Sequence, residues 1–83
     1  MEARTSFKDL FRAIVETLMK NDKITDLDLE YLASRGFDTD DIDVIVTFLK
    51  NSGIVEPNSE CRCLKLVNRR FLEKIAEILR KAK

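Results

Sequence analysis

Histidine and tryptophan are absent from this 83-residue chain, and glycine (two), proline (one) and cysteine (two) are scarce. Without an imidazole the chain lacks the usual general acid or base at neutral pH and the commonest metal-ligating side chain. Two glycines cannot supply a Gly-rich phosphate loop, no Ser or Cys stands beside a candidate base, and a zinc site would need ligands beyond two thiols. The expectation is a protein that is not an enzyme, with no cofactor and no metal. No run approaches the ~20 apolar residues of a membrane span. The first stretch, MEARTSFKDLF, lacks the uncharged apolar run of a secretory signal. An intracellular, cytoplasmic location is therefore expected, with no membrane partner. Cys61 and Cys63 stand two apart in a segment that reads as a strand, where they would point the same way and not bridge easily. They are expected to stay reduced and act as small apolar residues.

What is present is a helix-rich composition, 45% hydrophobic and 36% charged, in a length that suits one small domain, 1–83. Formal charge is zero, but it is unevenly placed. Residues 1–20 carry four bases and three acids, residues 21–50 three bases and eight acids, and residues 51–83 eight bases and four acids. The middle is acidic and the end basic.

Apolar spacing predicts a helix over about 6–20, capped by Thr5 or Ser6, with Phe7, Leu10, Phe11, Ile14, Val15 and Leu18 on one face and Asp9 in capping-box spacing from Ser6. A short extended piece around Ile24 follows. Thr25 then caps a second helix over about 26–35, with Asp26 and Asp28 in its first turn and Gly36 just past its end. A third helix over about 39–51 starts at Asp38 or Thr39, turns Ile42, Ile45, Val46 and Leu49 inward, and ends at Asn51-Ser52-Gly53. Two extended runs around Pro57-Asn58-Ser59 make a hairpin over about 53–67. Asn68 caps a last helix over about 69–82, with Phe71, Leu72, Ile75, Ile78 and Leu79 inward and Arg80, Lys81 and Lys83 near its negative end.

Leu32-Ala33, Gly36, Ile42, Ile45, Val46, Leu49 and Gly53-Ile54-Val55 follow a packing signature that resembles the winged helix-turn-helix superfamily over about residues 7–82. The resemblance implies a mainly α fold with a small β-hairpin: a three-helix core, a wing and a C-terminal helix. It also implies that the third helix is the one that DNA-binding members lay in the major groove.

That helix is chemically odd for a groove. Its outward positions at 100° per residue are Asp40, Asp43, Val44, Thr47 and Asn51, with Asp41 and Phe48 on the flank. Thr47 and Asn51 could read a base edge, but the aspartates would repel phosphates by about 1 to 4 kcal/mol per close pair. Acids in a first turn also favour the helix macrodipole, which accounts for Asp40 and Asp41 without any partner. Val44 and Phe48 form an apolar strip bordered by acids, which suits a protein partner with a basic or mixed surface. The competing reading packs Phe48 against the wing, or Val44 against a dimer mate.

Two binding functions follow. The first is an accessory or regulatory module of a transcription- or replication-type assembly, acting through Asp40, Asp41, Asp43, Val44, Thr47 and Phe48. The second is a dimeric transcription regulator that contacts DNA through Thr47, Asn51, Arg62, Lys65, Arg69, Arg70 and Lys74, weakly and with strong salt dependence. Arg69–Glu73 and Glu77–Lys81 spacings allow the same basic face to be salt-bridged instead. Phe71 and Ile78 widen the last helix enough to support a homodimer.

Overall fold

The computed structural model describes residues 7–81. The caps expected at Thr5 or Ser6, the last residue of the final helix and Lys83 lie outside them. Four helices and three short strands follow in the order α1 (Phe7–Asn21), β1 (Lys23–Thr25), α2 (Asp26–Ser34), α3 (Thr39–Asn51), β2 (Val55–Asn58), β3 (Cys63–Leu66) and α4 (Arg69–Lys81). The protein is mainly helical with one small antiparallel sheet.

Local chemistry sets the helix ends. At the start of α2, Asp28 N–H donates to Thr25 Oγ1 (3.1 Å) and Thr25 N–H donates to Asp28 Oδ2 (3.0 Å), a reciprocal capping box. Asp38 caps α3 by accepting from Asp40 N–H at 2.8 Å, and Asn68 Oδ1 accepts from Phe71 N–H at 3.0 Å at the start of α4. Both α2 and α3 stop in the same way. Gly36 (φ +103°) and Gly53 (φ +77°) take the left-handed position. Gly36 and Phe37 N–H groups return to the Ala33 and Leu32 carbonyls, and Gly53 and Ile54 N–H groups to those of Lys50 and Leu49. Each is a Schellman closure that satisfies carbonyls the helix leaves open.

The strand order is β1-β3-β2, both pairs antiparallel. β2 and β3 form the expected hairpin, and the extended piece at Ile24 becomes the third strand. Its register sets Lys23 opposite Lys65, with Glu56 on the other side of Lys65. Asp22, with φ +63°, turns the chain from α1 into β1. Asp22 C=O accepts from Leu66 N–H (2.8 Å), and Ile54 C=O accepts from Val67 N–H (2.8 Å) and Asn68 N–H (3.1 Å). These bonds fix the sheet between the exits of α1 and α3.

The core is aliphatic: Leu10, Ile14, Val15 and Leu18 from α1, Ile24, Leu32, then Ile42, Ile45 and Leu49 from α3, Ile54, Val55, and Leu72 and Ile75 from α4. No polar or charged residue is buried among the described ones, so removal of apolar surface from water is what holds the layers together. Three inward expectations need correction. Val46 is half-buried and packs against the core, but Phe7 is exposed, and on α4 Phe71 and Ile78 stay exposed, Ile78 at 65%. α4 turns Leu72, Ile75, Ala76 and Leu79 toward the core, and that stripe leaves Phe71 and Ile78 of its apolar face uncovered.

The cysteines also depart from expectation. Cys61 lies in the Ser59–Arg62 turn rather than in a strand, and Arg62 adopts a left-handed φ of +52°. That turn brings the Cys61 and Cys63 Cα atoms to 5.2 Å, and their sulfurs are joined in a disulfide. Strand residues two apart would lie about 6.7 Å from one another.

Candidate functional site

α3 carries the surface that the sequence singles out. Asp40, Asp43, Val44, Thr47, Phe48 and Asn51 are exposed and Asp41 is half-buried, while Ile42, Ile45 and Leu49 anchor the opposite face in the core. Asp38 is spent on the cap. Asp40, Asp41 and Asp43 make no ion pair among the described residues, where only Arg69–Asp22 and Glu77–Lys81 do.

Val44 is 57% exposed and has no role in the core. Phe48 is partly used: its ring meets that of Phe11 edge to face at 5.9 Å, and Phe11 meets Phe7 in the same manner at 6.1 Å. Phe48 therefore packs at least in part on α1, a contact that neither reading of the strip included. The result is an aromatic ridge running from α1 onto α3, with Val44 beside it and carboxylates at the α3 start. Sequence reasoning missed the α1 half of this ridge, because only the α1–α3 packing brings Phe11 to Phe48.

The second candidate set is dispersed over four elements. Thr47 and Asn51 are on α3, Arg62 is in the hairpin turn, Lys65 is in the central strand, and Arg70 and Lys74 stand one turn apart on the exposed side of α4. Lys65 is flanked in register by Lys23 and Glu56. Arg69 is committed elsewhere: its guanidinium pairs with the Asp22 carboxylate and donates to the Met19 carbonyl at 3.2 Å. The expected Arg69–Glu73 pair is thus replaced by a tie between α4 and the α1–β1 turn. Glu77–Lys81 does form, at 3.8 Å.

Two further surfaces were not singled out from the sequence. On α2, Leu27 and Tyr31 are exposed one turn apart, and Arg35 continues the row by donating to the Tyr31 hydroxyl (3.1 Å) with its guanidinium 5.6 Å from the ring centre. Between α1 and α4 lies a groove of about 550 Å³, lined by Arg12, Val15, Glu16, Met19 and Lys20 on one wall and Ala76, Leu79 and Arg80 on the other. Arg12 Nη2 donates to the Leu79 carbonyl at 3.0 Å, satisfying an acceptor in the last turn of α4. Helical spacing, 12-15-16-19-20 and 76-79-80, could have revealed both walls; that they face each other could not be read without the fold.

Among the described residues no group of three or more His, Cys, Asp or Glu is placed to hold a metal ion, and no helix is long and apolar enough to cross a membrane. No family model, curated protein or solved structure matches the chain.

Proposed function

We propose that this chain is a non-enzymatic winged-helix binding module, an accessory or regulatory part of a transcription- or replication-type assembly, whose contact surface is α3. The winged-helix part of this reading is supported by the element order and by the hairpin that follows α3 and pairs with β1. The functional part rests on one observation: three carboxylates that form no ion pair among the described residues lead into an exposed Val44 and a half-used Phe48, on a helix whose opposite face is anchored by Ile42, Ile45 and Leu49. The helix macrodipole explains acids at the α3 start but offers no reason for an exposed valine beside them. An apolar centre with a charged rim is how protein-contact patches are built.

The test is affinity capture with the wild-type chain, a Val44→Lys variant and an Asp40→Lys, Asp41→Lys, Asp43→Lys variant, compared quantitatively. Val44 is exposed and outside the core cluster, so its substitution should leave thermal stability within about 0.5 kcal/mol while removing the specifically retained protein. A partner retained equally by all three refutes α3 as the contact surface.

The second reading, a dimeric DNA-binding regulator, draws on exposed Thr47 and Asn51 on α3 and on Arg62 in the hairpin turn.

A further inference from the structure

The α1–α4 groove has the chemistry that the α3 surface lacks. Arg12, Lys20 and Arg80 line it with a single carboxylate, Glu16, and none of the four forms an ion pair among the described residues. Its floor is apolar, with Val15, Met19 and Leu79. Arg12 reaches the Leu79 carbonyl, so Arg12 and Arg80 lie at one end of the groove and Lys20 lies eight residues along α1, about 12 Å away at 1.5 Å per residue. From Asp40 to Phe48 is also eight residues, so the acidic and apolar face of α3 spans the same ~12 Å.

We infer that the occupant of this groove is α3 of a second copy of the chain, with its Asp40, Asp41 and Asp43 end against Arg12 and Arg80 and Val44 and Phe48 over the apolar floor. The inference deepens the reading of α3 as a protein-contact helix and rests on it. Charge complementarity selects the occupant: the groove sets Arg12 and Lys20 of α1 and Arg80 of α4 against one Glu16, and α3 brings Asp40, Asp41 and Asp43, although the whole chain is neutral. Groove and ridge occupy different flanks of α1, since Arg12 follows the ridge residue Phe11 by 100° around the helix. A copy can therefore accept one neighbour in its groove and offer its own α3 to another, a head-to-tail contact that propagates or closes into a ring.

Sedimentation velocity of the full chain over a concentration series, at low and high salt, tests this. Wild type should form species larger than a dimer, and raising salt should weaken them on the order of tenfold or more as exposed charges are screened. Two variants each keep one half of the contact. Val44→Lys spoils α3 and leaves the groove; Lys20→Glu with Arg80→Glu spoils the groove and leaves α3 and the Arg12 bond. Each alone should be monomeric, and an equimolar mixture should form a dimer that grows no further, because the intact groove of one takes the intact α3 of the other. Folding of each is checked by circular dichroism, and all three substituted residues are at the surface.

A wild-type chain that is monomeric throughout overturns the self-contact, as does a mixture that stays monomeric. Self-association retained by Val44→Lys also overturns it, pointing to a symmetric contact that excludes α3. None of these results touches the capture experiment, which would still report whether α3 binds a different protein.

Discussion

Thr25 shows what one side chain does in a domain of this size. α2 has nine residues, of which only Leu32 is buried, so packing alone holds it weakly, and a helix this short is not stable in isolation. The capping box between Thr25 and Asp28 satisfies two backbone N–H groups at the helix start. Replacing Thr25 with Ala removes one acceptor and should cost about 1 kcal/mol, which for a domain of this length lowers the melting temperature by about 4–8 °C. Thermal unfolding of Thr25→Ala beside Thr25→Ser checks it; the serine variant keeps the acceptor and should recover most of the loss. Equal destabilisation by both would mean that the Thr25 methyl group, rather than its cap, carries the effect.

At the scale of elements, the sequence disclosed what depends on near neighbours and hid what depends on packing. The α2 and α3 ends were legible because Asp38, Gly36 and Gly53 act on residues within one turn. The α3 face was legible because Ile42, Ile45 and Leu49 repeat at helical spacing. The Phe11–Phe48 contact, the pairing of β1 with β3 and the Arg69–Asp22 tie join residues separated by roughly 40 positions, and no local rule reaches that far. The cysteines failed for a related reason: strand alternation was carried two residues past the start of β3 into a turn, where the left-handed Arg62 reverses it. Their disulfide closes a loop of three residues, so in the chain-entropy account it restrains the unfolded chain by only about 1.6 kcal/mol. Cys61→Ser with Cys63→Ser should therefore unfold at a temperature lowered by no more than that energy implies, and reductant should have the same effect on wild type while leaving the double variant unmoved. A complete loss of fold in the double variant would show that the pair anchors the hairpin itself, beyond limiting the unfolded chain.

Taken as a whole, the molecule is neutral but polarised, and this sets what it can do near a polyanion. Of the cations proposed for DNA, Arg69 already neutralises Asp22, which leaves Arg62, Lys65, Arg70 and Lys74, with Glu56 beside Lys65. If all four met phosphates, the slope of log K against log salt would be about −3.6. The three α3 aspartates, without an ion pair among the described residues, act against even that, because any approach that lets Thr47 and Asn51 reach bases brings Asp40 and Asp43 toward the backbone. Retardation of random duplex DNA should thus appear only at low salt, with a slope no steeper than this bound and little preference among sequences. Replacing Asp40, Asp41 and Asp43 with Asn removes the repulsion without adding a cation. If α3 faces DNA at all, that variant should bind more tightly at unchanged slope; if α3 faces protein, DNA affinity should not move while partner capture falls. Tight wild-type binding that survives high salt would reverse the ranking of the two functions, since it requires attractive contacts that outweigh three carboxylates on the same helix.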